Sequence, residues 1–123
     1  MGGDTLPLRP ADVLILMMLV RGTRHGYGIM LDVAEHTEGE IRLEAGSLYR
    51  SLRRLLDDGL VAVAPAGEPA GADDERRRYY ALTPAGRRAL AAEALRMRRL
   101  VREAEAAGLI APAGAPLGSA GVS

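Results

Sequence analysis

The stretch GSLYRSLRRLLDDGLV, residues 46–61, decides the fold because it changes from a helix pattern to a strand pattern at one glycine. Its leucines recur at the i, i+4, i+7 and i+8 spacing of one buried helix face: Leu48, Leu52, Leu55 and Leu56. Gly59 lies where a left-handed C-cap is expected, and Val61 and Val63 then share one face of a half-buried strand. The stretch therefore predicts helix 3 over about 46–58, followed directly by a strand.

The stretch RRRYYALT, residues 76–83, predicts the strand that returns. Tyr80 and Leu82 alternate onto one face of this strand, and the Gly/Pro-rich loop at 65–72 joins the two strands into a hairpin. The tip of the hairpin carries three consecutive arginines: Arg76, Arg77 and Arg78. They follow an acidic run, Asp73-Asp74-Glu75. This run could either weaken the positive charge of the tip or orient the arginines, and the sequence leaves both open.

Three further helices are predicted from their start signals and apolar stripes. Pro10 suits a first helical turn, and helix 1 then runs over 11–20. Residues 26–37 carry the apolar stripe of helix 2. Thr83 and Pro84 form an N-cap and a first helical position, which start helix 4 over 84–107. Residues 41–43 are predicted as one short strand.

The order of these elements is that of a winged helix-turn-helix: three helices, a hairpin whose loop is the wing, and a long last helix. We therefore expect a mainly α fold with a small β-hairpin. The chain divides into a flexible N-terminal arm (1–9), a winged helix-turn-helix domain (10–83), a C-terminal helix (84–107) and a disordered tail (108–123).

Helix 4 carries an apolar stripe that repeats with spacings of 4, 3, 4 and 3 residues: Leu90, Ala94, Met97, Val101 and Ala104. This heptad-like repeat is typical of a helix that packs along a partner helix, and it predicts a dimer interface. The alternative is that the stripe packs on the core of its own chain, as the apolar faces of most helices do.

Composition excludes several classes of function. The 123 residues suit a single domain, and the absence of cysteine excludes disulfides, thiolate nucleophiles and zinc fingers and suits a cytoplasmic protein. The longest apolar run, 13–20, is too short to span a membrane. The only histidines are His25 and His36; Asp32 and His36 are four residues apart, but two ligands make a poor metal site. We therefore expect no catalytic residues, no cofactor and no metal site, and hence not an enzyme.

The charges of the chain are segregated although the formal net charge is zero. Residues 32–40 are acidic, whereas residues 42–54 and 76–78 are rich in arginine. Local potential decides where a polyanion binds, so this pattern favours double-stranded DNA as a partner.

Helix 3 must present its polar face outward because its leucines face the core. We expect this face to carry Ser47, Arg50 and Arg54, with Tyr49 and Arg53 on its flanks. An arginine can bind guanine or phosphate through two hydrogen bonds, and the lack of a side chain at Gly46 lets phosphate approach the start of the helix. A solvated arginine face alone is common on surface helices, but the arginine-tipped hairpin beside it favours DNA binding. Arg53→Ala and Arg54→Ala are expected to weaken binding.

Three motifs together resemble the PadR-type transcriptional regulators: HGYGI (25–29), the stretch 46–61, and RRRYYALTPAGRRAL (76–90). The resemblance covers about residues 10–107 and is to the short subgroup. It implies a homodimer that binds an inverted repeat, with helix 3 in the major groove and helix 4 at the dimer interface. It implies DNA contacts by Tyr49, Arg50 and Arg53 of helix 3 and by Arg77 and Arg78 of the wing.

The resemblance also bears on the remaining motif and on regulation. His25, Gly26 and Tyr27 are interpreted as structural, with Gly26 in a tight turn into helix 2 and Tyr27 packed near helix 3. Some relatives bind flat aromatic ligands, but helix 4 of this chain has no aromatic residue. A small-molecule effector, a protein effector or no effector therefore all stay open, and repression is the default expectation.

One alternative from another class also stays open: a winged helix can be a protein-interaction module without operator specificity. The salt dependence of DNA binding discriminates the regulator from the interaction module, because affinity that comes from phosphate contacts falls steeply as the salt concentration rises.

Overall fold

The computed structural model describes residues 8–64 and 78–114. Its elements are, in chain order, α1 (Pro10–Leu19), β1 (Arg24–His25), α2 (Gly26–His36), α3 (Ala45–Asp57), β2 (Val61–Ala64), β3 (Tyr79–Leu82) and α4 (Pro84–Ala106). The four predicted helices are confirmed to within one residue at each end. Most of the predicted arm, the wing loop with Arg76, Arg77 and the acidic run, and residues 115–123 of the predicted tail lie outside the described residues.

The three strands form one antiparallel sheet in the order β1-β3-β2. The predicted hairpin is confirmed, with Val61 opposite Leu82 and Val63 opposite Tyr80. The strand predicted at 41–43 is wrong, because these residues form a loop that pairs with no strand. The third strand is instead β1, which pairs Arg24 with Tyr80. Two residues are too few to show an alternating pattern, so β1 could not be predicted from the sequence.

Side chains fix the starts of two helices. The Nδ1 atom of His25 accepts a hydrogen bond from the Gly28 N–H at 2.9 Å and so caps α2. The Oγ1 atom of Thr83 accepts from the Gly86 N–H at 2.9 Å and caps α4, which confirms the predicted start. The same hydroxyl donates to the Gly59 carbonyl at 2.7 Å. Thr83 therefore ties the start of α4 to the end of α3.

The core lies between α1, α2, α3 and the inner face of the sheet. Its fully buried side chains come from all three helices: Ile15, Leu16, Ile29, Val33, Leu48, Leu52 and Leu55. Val61 and Tyr80 of the hairpin close the core from the sheet side, and Leu90 closes it from α4. Three of the four predicted leucines of α3 are thus buried, and Leu56 lies at the margin.

Gly86 allows α4 to approach the hairpin. A Cβ atom at this position would overlap the Leu60 carbonyl oxygen and would lie 2.8 Å from a Leu82 methyl group. The same carbonyl accepts a hydrogen bond from the Thr83 N–H at 3.1 Å. Only glycine fits here without movement of backbone, so Gly86 holds the first turn of α4 against the hairpin.

The predicted stripe of α4 is divided between the core and the surface. Leu90 is only 6% exposed and packs within its own chain, whereas Met97 and Val101 are both exposed.

Gly108 closes the C-terminal end of α4. Its φ is +78°, and the Leu109 N–H donates a hydrogen bond to the Ala104 carbonyl at 2.9 Å. Within 8–64 and 78–114, no helix combines the length and apolar character that a membrane span needs.

Candidate nucleic-acid interface

The outer face of α3 is a strip of exposed residues opposite its buried leucines. Four of the predicted contact residues are exposed on this helix: Gly46, Ser47, Arg50 and Arg53. Arg50 donates only a long hydrogen bond, 3.4 Å, to Ser47 Oγ. Arg53 forms no ion pair with any residue in the described part of the chain. Both guanidinium groups are therefore available to an anion that approaches from solvent.

The first turn of α3 adds backbone donors to this strip. Its N-cap is Glu44, whose side chain makes no capping hydrogen bond, and the first turn contains no acidic residue. The first N–H groups of a helix have no partner within the helix and attract anions. Because Gly46 and Ser47 are both exposed, a phosphate can reach this turn without a bulky side chain in the way.

Tyr49 lies on a flank of α3, as predicted, and the structure shows that this flank faces α2. Its ring packs over Gly26, where a Cβ atom would lie 2.5 Å from the Tyr49 hydroxyl oxygen. Gly26 is therefore required for this contact between the two helices. The expectation that Tyr27 packs near helix 3 is wrong: Tyr27 is 57% exposed, and Tyr49 makes the contact instead.

Arg54 lies on the other flank of α3 and turns towards α1. Its Nη2 atom donates to Asp12 Oδ1 at 3.0 Å, and the Asp12 side chain is only 5% exposed. The sequence-based prediction placed Arg54 on the outer face and Arg53 on a flank; Arg53 is exposed, and Arg54 is the one held in an ion pair. The partner is 42 residues earlier in the chain, so no local pattern could have indicated it.

The base of the wing lies beside the start of α2. The His25 ring meets the Tyr79 ring edge-on at 5.5 Å, across the β1–β3 pair. Arg78, the residue before β3, is exposed and is the only one of the three tip arginines within the described residues. The sheet thus joins the turn into α2 to the base of the wing.

Residues elsewhere offer little site chemistry. Asp32, considered above as a metal ligand, is paired with Arg24 at 2.9 Å. No group of three possible metal ligands occurs within 8–64 and 78–114. A cleft of about 410 Å³ lies between α1 and α2, with Met17 and Met18 beside the Arg24–Asp32 pair. Both acidic and basic side chains line this cleft, and two of them, Arg24 and Asp32, form an ion pair with each other.

The family follows from comparison with known proteins. Residues 15–92 match the model of the transcriptional regulator PadR-like family. The chain belongs to this family. The resemblance drawn from the three sequence motifs is thereby confirmed.

Two known proteins are similar to this chain in sequence. The chain is 35% identical over 79 residues to a transcriptional regulator of Mycobacterium tuberculosis. The aligned part is 64% of this chain and 67% of that protein. It is 41% identical over 90 residues, 73% of this chain, to an uncharacterised 37.1 kDa protein in a transposon of Streptomyces fradiae. The aligned part is 24% of that protein, so the chain spans about a quarter of its length.

A solved structure shares the fold. Bacillus subtilis PadR in complex with operator DNA superposes with a TM-score of 0.58 at 24% identity, over 69% of this chain and 46% of that chain. The predicted winged helix-turn-helix with a long C-terminal helix is confirmed for this PadR-like chain.

Proposed function

We propose that this PadR-like regulator binds double-stranded DNA through the outer face of α3 and through the wing. The observation that carries the proposal is the pair of exposed arginines on α3, Arg50 and Arg53, neither of which is held by a carboxylate in the described residues. The relative from Bacillus subtilis, which has the same fold, is known in complex with operator DNA. That relative supports the choice of DNA over a protein partner.

Each residue of the interface has a distinct proposed role. Arg50 and Arg53 enter the major groove, where a guanidinium reads guanine or clamps a phosphate. Gly46 and Ser47 admit a phosphate to the first turn of α3. Tyr49, packed over Gly26, positions α3 against α2. Arg76, Arg77 and Arg78 of the wing bind the DNA backbone.

We also propose that two copies associate through α4. Ala94, Met97 and Val101 are exposed, and Ala104 is partly so; they continue in register the stripe that Leu90 begins inside the core. Leu100, on the same half of the helix, is 67% exposed. Burial of such side chains against a second copy stabilises the assembly by removing apolar surface from water.

A symmetric dimer determines the form of the operator. Two α3 helices related by a twofold axis read an inverted repeat whose half-sites are about one helical turn apart. A protein of this size on a promoter blocks access to the DNA beneath it, so we propose that its effect is repression.

The test is the salt dependence of DNA binding by matched glutamine variants. Arg53→Gln removes an exposed arginine from α3, and Arg99→Gln removes an exposed arginine from α4, two residues after Met97 and on the other side of that helix. If Arg53 binds a phosphate, its loss lowers the slope of log K against log[salt] by about 0.9 for each protomer. Arg99→Gln should leave the slope unchanged. Equal slopes and equal operator affinities for both variants would contradict the proposed interface.

A further inference from the structure

Asp12 is a buried carboxylate whose two oxygens are both in use. It lies in the first turn of α1, where Oδ2 accepts from the Arg9 N–H at 3.2 Å and Oδ1 accepts from Arg54 Nη2 at 3.0 Å. Its side chain is 5% exposed, whereas that of Arg54 is 35% exposed. The guanidinium therefore reaches from the surface of α3 inward to a fixed anion on another helix.

Among the described residues, Arg54 is the only arginine of α3 that a carboxylate holds in this way. Arg50 lies one turn before it on the same side of the helix, and Arg53 precedes it directly; both are exposed. Neither forms an ion pair with residues of the described ranges. Three arginines thus occupy the outer half of α3, but an approaching DNA backbone meets two unpaired cations rather than three.

We propose that Asp12 withholds Arg54 from DNA and so limits the affinity of α3 for the phosphate backbone. This inference rests on the proposed DNA-binding function of α3. Binding to DNA of unrelated sequence is supplied almost entirely by phosphate contacts, whereas operator binding also uses base contacts. One phosphate-binding cation fewer therefore weakens binding to operator DNA and to unrelated DNA by about the same factor, so Asp12 limits the sequence-independent part of the affinity.

The geometry favours withholding over a direct DNA contact by Arg54. An anion that took Arg54 from Asp12 would leave a nearly inaccessible carboxylate without its cation, which is strongly unfavourable. DNA at the surface of α3 can take Arg54 from Asp12 only if the gain in binding free energy exceeds that penalty. Phosphates meet no such penalty at Arg50 and Arg53.

The test measures binding to a duplex of scrambled sequence by fluorescence anisotropy over a series of salt concentrations. In Asp12→Asn the amide oxygen can still accept from Arg54 and the side chain keeps its shape, but the competing charge is gone. We expect the slope of log K against log[salt] to steepen by about 0.9 for each protomer, because Arg54 becomes available to a phosphate. Affinity for the scrambled duplex should rise, and affinity for an operator sequence should rise by a similar factor.

Three controls separate Arg54 from general charge effects. Glu35→Gln adds the same unit of net positive charge at an exposed site on α2 and should leave the slope unchanged. Asp12→Asn combined with Arg54→Gln restores the net charge of the natural chain and should restore its slope. Arg54→Gln alone, whose amide can still donate to Asp12, should also leave the slope unchanged.

The outcomes distinguish this inference from the proposed function. A slope that stays unchanged in folded Asp12→Asn while Arg53→Gln lowers it would overturn the role of Asp12 and leave the α3 interface standing. If Arg54→Gln lowers the slope as much as Arg53→Gln does, Arg54 binds DNA directly and the inference is wrong; this holds even where Asp12→Asn fails to fold. A slope that Arg53→Gln does not lower would overturn the interface itself.

Discussion

Replacing Arg54 by alanine should destabilise the fold, because it leaves the Asp12 carboxylate buried without its cation. Breaking a fully buried pair costs about 3–5 kcal/mol, and exposed pairs contribute about 0–1 kcal/mol. Here the Asp12 side chain is 5% exposed and that of Arg54 is 35% exposed, so screening by solvent lowers the cost below that of a fully buried pair. We expect a loss of about 2 kcal/mol in the free energy of unfolding.

Thermal and urea denaturation followed by circular dichroism measure this loss, at equal protein concentrations. For a domain of this size, 1 kcal/mol shifts the Tm by roughly 4–8 °C, so the Tm should fall by about 8–16 °C. Arg53→Ala is the matched control: its exposed side chain has no such partner in the described residues, and its effect should stay within about 0.5 kcal/mol.

A double-mutant cycle isolates the pair. Asp12→Ala combined with Arg54→Ala removes both charges, so the double variant should be more stable than the sum of the two single losses predicts, by about 1–2 kcal/mol within the range for contacting residues. Strict additivity, or an Arg54→Ala variant as stable as Arg53→Ala, would refute the reasoning about the buried carboxylate.

Three further variants test the packing of the site and the proposed dimer. Gly86→Ala should lower the free energy of unfolding by about 1–3 kcal/mol or more, because the new Cβ atom would overlap the Leu60 carbonyl oxygen. Urea denaturation measures this loss, with Ala85→Gly in the same turn as the control. Gly26→Ala should displace the Tyr49 ring and weaken DNA binding more than Gly28→Ala, whose Cβ atom meets only the His25 ring at 3.3 Å, and anisotropy titration compares the two. Met97→Glu combined with Val101→Glu should convert a dimer to monomers in light scattering, whereas Arg99→Glu should not.

The elements that the sequence predicted correctly are those whose signals are local. The leucine repeat of α3, the Thr83-Pro84 start of α4 and the alternation of the hairpin are each contained in a few consecutive residues, and each is confirmed. The predicted C-cap at Gly59 is confirmed by a φ of +77°. The family resemblance rested on the same local motifs.

The features that the sequence did not predict depend on residues far apart in the chain. β1 exists because Arg24 and His25 pair with β3, and neither residue is part of an alternating run. Gly86 is required by a carbonyl on the other side of the hairpin, at Leu60. The helical spacing placed Arg54 among the outward arginines, but Asp12 draws it inward.

The candidate site was therefore predicted in outline. The exposed positions of Ser47 and Arg50 follow from the leucine pattern alone, because the buried face fixes the opposite one, whereas the pattern placed Arg53 on a flank. Which flank residue faces a neighbouring helix depends on tertiary packing: Tyr49 lies on Gly26, and Arg54 lies on Asp12.

The central claim is that the outer face of α3 reads an operator. Selection of genomic DNA fragments by the purified protein at physiological salt, in parallel with a variant carrying Arg50→Gln and Arg53→Gln, tests this most directly. The natural chain should enrich one pseudo-palindrome with half-sites about one helical turn apart, and the variant should not. Recovery of fragments without sequence preference by both proteins, to the same extent, would contradict it.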